Sequence, residues 1–101
     1  MVSRQNQIVW TKRSEKQLEN AYKYICEDST KNAAKVIEDI VKAAGKAINN
    51  PEFYPPYKYK TNNDGTYRAC EKHKFRIAYR FKSNVIRILR VRHSKMEPQP
   101  Y

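Results

Sequence analysis

Glycine is almost missing from this sequence, with Gly45 and Gly65 its two occurrences. That scarcity excludes a glycine-rich phosphate loop or a dinucleotide fingerprint, which need several glycines at fixed spacing for close backbone approach. Cysteine and histidine are as scarce, at two each. Cys26 and Cys70 lie far apart without CxxC spacing, so no zinc site, other metal site or disulfide scaffold is expected, and no cofactor. This cysteine usage fits a reducing cytoplasm. No apolar run approaches the roughly 20 residues of a membrane helix. Met1-Val2-Ser3-Arg4 leads into polar Gln5-Asn6-Gln7 rather than the apolar core of a secretory leader. The expectation is a cytoplasmic protein without membrane contact. The 101 residues are expected to form one domain over 1–101, with 1–6 and 94–101 as irregular tails.

Acidic residues are also few. Lys plus Arg is 21 against 10 for Asp plus Glu, a net charge of +11. The excess is uneven: residues 1–52 carry nine basic and seven acidic residues, and residues 53–101 carry twelve and three, or +2 against +9. A solubilising excess would not need such concentration in one half. One basic surface suited to phosphate backbones or an acidic partner would.

The hydrophobic pattern sets out the elements. Ile8-Val9-Trp10 reads as a short strand. Thr11 or Ser14 can cap the helix that follows, and Ser14 with Gln17 has capping-box spacing. Leu18, Ala21, Tyr22 and Ile25 then recur at helical spacing. Ser29 or Thr30 is a second N-cap candidate. Beyond it Ala33, Val36, Ile37, Ile40, Val41, Ala44, Ala47 and Ile48 repeat at i, i+3, i+4, i+7 until Asn49-Asn50-Pro51 stops the helix. Pro51, Pro55, Pro56 and the cluster Asn62-Asn63-Asp64-Gly65 mark a long turn-rich segment. Three strands follow, over 67–72, 75–82 and 85–92, joined by two-residue turns at His73-Lys74 and Ser83-Asn84. The predicted fold is α+β in the order β-α-α-β-β-β. A helical hairpin packs on one face of a small, mainly antiparallel four-stranded sheet.

In the middle strand Phe75, Ile77, Tyr79 and Phe81 alternate with Arg76, Ala78, Arg80 and Lys82. The apolar set is core by its period of two. The other face is expected to meet water, with Arg76 and Arg80 joined by some of Arg68, Arg87, Arg90 and Arg92. Arginine's planar fork suits phosphate, although such a face can equally be a plain solvated one. Phe53 to Lys60 interleaves aromatics with Lys58 and Lys60. It can stack bases and hold phosphates, or its tyrosines can simply cover the core edge. His93 ends the last strand beside cations and is an acid–base candidate near neutral pH. His73 falls at a turn and reads as a loop residue. Glu71, the one acid within the strands, is either an ion-pair partner or a candidate base.

Ile8-Val9-Trp10-Thr11 before a helical hairpin, then Phe75-Arg76-Ile77-Ala78-Tyr79-Arg80 and Ile86-Arg87-Ile88-Leu89-Arg90-Val91-Arg92-His93, resemble the RelE/ParE superfamily of toxins from type II toxin–antitoxin systems. The resemblance covers about residue 7 to 101. It implies a small toxin neutralised by a cognate acidic antitoxin. RelE-like members cut messenger RNA on the ribosome without a metal, and ParE-like members poison DNA gyrase without enzymatic chemistry. On the RelE side the resemblance puts Arg76 on the scissile phosphate and His93 as general acid, while Glu71 is a candidate base only as the one acid within the strands. Arg68 falls where that branch has a basic strand residue, and with the other cations of the basic half, Arg80, Arg90, Arg92, Lys58 and Lys60, would bind RNA phosphates. Cys70 stands where that branch has a second basic strand residue, Pro55-Pro56-Tyr57 where a relative has a glutamate, and Ser94 where it has a tyrosine. The expectation is an mRNA endoribonuclease inhibiting translation, with gyrase inhibition as the alternative.

Overall fold

The computed structural model describes residues 6–93. Among these residues the chain forms β1 (Gln7–Trp10), α1 (Lys12–Cys26), α2 (Thr30–Gly45), β2 (Tyr67–Lys72), β3 (Phe75–Lys82) and β4 (Val85–His93), with a 3-10 turn at Lys46–Ile48 closing α2. This is the expected β-α-α-β-β-β order. Segments 1–5 and 94–101, which hold Ser94 and all of the expected tails except Asn6, lie outside the described residues.

Each helix starts where a side chain can satisfy its unpaired N–H groups. Thr11 caps α1, its hydroxyl accepting from the Ser14 N–H at 3.1 Å. Ser14 is no cap: it is wholly buried, and its hydroxyl donates back to the Thr11 carbonyl at 2.8 Å. Gln17 therefore makes no capping box. Its Oε1 accepts the Val91 N–H at 2.7 Å, closing the β4 edge beyond the end of β1. Ser29 caps α2 by accepting from the Asn32 N–H at 3.1 Å. The stripe of α2 buries Ala33, Val36, Ile40, Ala43 and Ala44, while Val41, expected on it, is exposed.

The sheet order is β1-β4-β3-β2, with β1 parallel to β4 and the other pairs antiparallel. Both hairpin turns hold two residues at positive φ, His73 and Lys74 at 52° and 67°, Ser83 and Asn84 at 53° and 64°. This is the type I′ geometry whose twist matches the flanking strands. Between sheet and helices Ile77, Tyr79, Ile86 and Ile88 pack with Ile40 and Ala44 in the main core. Each such large apolar side chain contributes on the order of 1.5–3 kcal/mol. Tyr79 keeps its hydroxyl satisfied by donating to the Pro51 carbonyl at 2.6 Å, and Tyr54 donates to the Ala43 carbonyl at 2.7 Å. Burial pushes the Tyr54 hydroxyl up to about 12 and the Cys70 thiol up to about 11, so both stay neutral.

The second sheet face is not simply open to water, as the alternation suggested. The segment between Pro51 and Thr66 wraps the β2 edge. Pro56 bridges Arg68, and the Tyr57 N–H donates to the Tyr67 carbonyl at 2.8 Å. Asn63 clamps the return: its amide donates to the Tyr57 and Tyr67 carbonyls at 3.3 and 2.7 Å. Its Oδ1 accepts the Gly65 N–H at 2.8 Å, and Gly65 at φ +93° is the position where a side chain would be strained. Tyr57 and Ala78 are consequently buried, and so is Arg76.

Candidate functional site

Pairing register decides which candidate residues meet, because directly opposed residues of antiparallel strands share a face. Arg76 pairs with Arg92, Ala78 with Arg90, and Arg80 with Arg87 across β3 and β4. Glu71 and Tyr67 of β2 pair with Arg76 and Arg80. All of these stand on the outer face, away from the helices. His93 pairs with Phe75, and Arg68 pairs with Tyr79, so both belong to the helix-facing side. Cys70 pairs with Ile77 and joins the core, so this position presents nothing to the outer face.

Arg76 is held on two sides. Its Nη2 lies 3.3 Å from Glu71 Oε1, and its guanidinium stacks 4.8 Å from the centre of the Tyr59 ring. Glu71 thus serves as an ion-pair partner. Arg80 is held likewise, by the Thr66 hydroxyl at 3.1 Å, Asp64 at 3.7 Å and the Tyr67 ring at 4.7 Å. Thr66 and Arg80 in turn keep the Asp64 carboxyl below the usual range. Lys60 also stands over Tyr67, at 4.7 Å, and donates to the Thr61 carbonyl, while Lys58 stands 5.2 Å over Tyr59. Arg68 does structural work: Nε donates to the Gly65 carbonyl at 3.0 Å, and Nη1 to those of Tyr54 and Glu52 at 2.9 and 3.4 Å. It fastens the wrapping segment to β2.

His93 packs edge-on against Phe75, with ring centres 5.1 Å apart. It lines a groove of about 660 Å³ between α1 and the end of β4, with Gln17, Asn20, Tyr24 and Val91. His73 does more than occupy a turn. Its Nε2 lies 2.7 Å from Asp39 Oδ2, joining the β2–β3 hairpin to α2. Among the described residues no three His, Cys, Asp or Glu side chains gather as metal ligands would.

One local irregularity rearranges the arginines of β4. Tyr79 pairs with Ile88 but Ala78 with Arg90, which leaves Leu89 as an extra residue in a β-bulge. Strict alternation would put Arg87 on one face and Arg90 and Arg92 on the other. The bulge brings all three to the outer face. Alternation alone could not have revealed this, since Ile88-Leu89 reads as ordinary apolar strand. Tyr59, expected to stack bases or cover the core edge, covers Arg76 instead, and Tyr67, for which the sequence pattern suggested no role, covers Arg80. For Tyr59 the available signal was its interleaving with Lys58 and Lys60.

The model of the ParE toxin of the type II toxin–antitoxin system parDE matches residues 8–98. The chain belongs to this toxin family, within the RelE/ParE superfamily. A comparison with curated proteins finds no match. Among solved structures, the chromosomal ParDE toxin–antitoxin system of P. aeruginosa is similar at a TM-score of 0.74 and 20% identity, over 92% of this chain and 100% of that one. The toxin–antitoxin complex RelBE2 of Mycobacterium tuberculosis is similar at 0.56 and 18%, over 89% and 99%. These likenesses establish the shared fold. Among the described residues no helix is long and apolar enough to cross a membrane.

Proposed function

We propose that this toxin acts in the cytoplasm as a non-enzymatic inhibitor of DNA gyrase, held in check by a cognate acidic antitoxin. One observation carries the choice: Arg76 and His93, the pair that would clamp a phosphate and protonate a leaving oxygen, project from opposite faces of the sheet. A general acid must lie within hydrogen-bond reach of the group it serves. The match to the ParE family model supports the same reading. A net charge of +11 suits an anionic antitoxin, and the complexes among the similar structures make such a partner the natural expectation.

A second reading keeps the endoribonuclease. Glu71 beside Arg76 puts a carboxylate next to the arginines of the outer face. Arg76 would then hold the scissile phosphate of messenger RNA on the ribosome and Glu71 would act as base. Arg80, Arg90, Arg92, Lys58 and Lys60 would follow the backbone, and Arg68 and His93 would contribute only after rearrangement.

Gyrase supercoiling with purified toxin, run beside primer extension on transcripts after induction, separates the two. Inhibited supercoiling with intact transcripts is expected, and His93→Gln should still arrest growth. Discrete transcript cleavage by the wild type, lost in folded His93→Gln, would overturn the proposal.

A further inference from the structure

We infer that the outer face of β4 is a docking row for the phosphate backbone of duplex DNA, made by the bulge at Leu89 and carried by Arg87, Arg90 and Arg92. The inference deepens the gyrase reading and rests on it in naming DNA, the substrate that gyrase holds.

The register is the first argument. With Leu89 extra, the three arginines follow one another along one face, and same-face neighbours on a strand lie about 7 Å apart. That step is comparable with the separation of successive phosphates along a nucleic-acid strand. Bulges recur where a strand must re-aim a side chain, and this one re-aims Arg90 and Arg92 to join Arg87.

Like charges set face to face are the second. Arg92 lies directly opposite Arg76, and Arg87 directly opposite Arg80. Such pairs are destabilising in isolation. Glu71 and Asp64 offset the β3 members of the two pairs. A phosphate backbone that meets such a concentration of arginine releases its counterions, and that release favours binding.

The third argument selects duplex over single strand. Single-strand binders need aromatic faces on which bases stack. On this face the Tyr59 ring is covered by Arg76 and Lys58, and the Tyr67 ring by Arg80 and Lys60. Those rings are engaged by the protein's own cations, so bases have no open ring to stack on and binding is left to charge.

The test is fluorescence anisotropy of the full chain with a short labelled DNA duplex, over a salt series and without gyrase. The triple variant Arg87→Gln, Arg90→Gln, Arg92→Gln should flatten the salt dependence by about 0.9 in log–log slope per phosphate lost, or roughly 2–3 in all. The matched control Lys16→Gln, Lys23→Gln, Lys42→Gln removes the same charge from the helices and should change the slope by less than about 1. Replacing the three arginines by lysine should keep most of the slope. If the triple variant fails to fold by circular dichroism, Arg87→Gln alone should still cost about 0.9. Equal losses in the arginine and helix-lysine variants, or tighter binding of the unpaired strand than of the duplex, would overturn the inference. Duplex binding without gyrase inhibition would overturn the proposed function instead.

Discussion

Arg76 and His93 stand at the same end of the sheet on neighbouring strands, and one position of register separates them. Arg76 faces Arg92 on the outer side, and His93 faces Phe75 on the helix side. The consequence is chemical. The outer side gathers cations around Glu71 and two tyrosines, and the helix side puts an imidazole in a groove of mixed character with Gln17, Asn20, Tyr24 and Phe75.

Arg76 is an internal strut as well as an outer-face cation. Arg76→Ala should remove the Glu71 pair and the Tyr59 stacking and leave a gap beneath the wrapping segment. The expected loss is about 1–3 kcal/mol, because Glu71 is half-exposed and the pair is partly screened. Urea unfolding would measure it. A loss within about 0.5 kcal/mol, the usual range for surface changes, would show that Tyr59 holds the segment without Arg76.

Gln17 ties α1 to the sheet by accepting the Val91 N–H. Gln17→Met keeps the packing volume but leaves that N–H without its acceptor. The cost should be about 1–3 kcal/mol, and hydrogen exchange at the Val91 amide should speed up relative to Ile77. Unchanged exchange at Val91 would count against the bond.

Asp39 supplies an acid-sensitive contact. The hydrogen bond from His73, then that from Lys35, holds its carboxyl below the usual range. Its folded-state pKa is therefore lower than its unfolded one. As pH falls, the unfolded chain takes up the proton first, so stability present above about pH 4 is lost as pH falls through the folded value. Asp39→Asn should flatten the decline of the urea midpoint between pH 5 and about 3, while leaving other carboxylates to act. An unaltered decline would place the acid sensitivity elsewhere.

The two thiols should differ in reactivity. Cys70 is buried, and its pKa of about 11 keeps the thiolate scarce at neutral pH. Cys26 is less buried. A maleimide reagent at neutral pH should label Cys26 first and reach Cys70 only on unfolding. Mass spectrometry of tryptic peptides would assign the sites, and early labelling of Cys70 would contradict its burial.

The elements follow from local chemistry and were legible without tertiary contacts. Thr11 and Ser29 begin helices because a hydroxyl there can accept an unpaired N–H. The α2 stripe and the alternation of β3 name their buried faces through periods of 3.6 and 2. The paired turns at 73–74 and 83–84 fix which strands are neighbours.

What the sequence determined by itself was the order of elements, the charge of its second half and the family motifs, since each is a local or additive property of the chain. Tertiary structure alone decided which cations share a face. The bulge at Leu89 shifts every β4 residue after it by one position, and a one-residue shift turns a side chain to the other face. The covering of Arg76 by Tyr59 and the engagement of Arg68 by the distant Glu52 and Tyr54 carbonyls depend on where a proline-rich segment crosses β2. No periodicity encodes that path, because it is fixed by contacts between residues far apart in the chain.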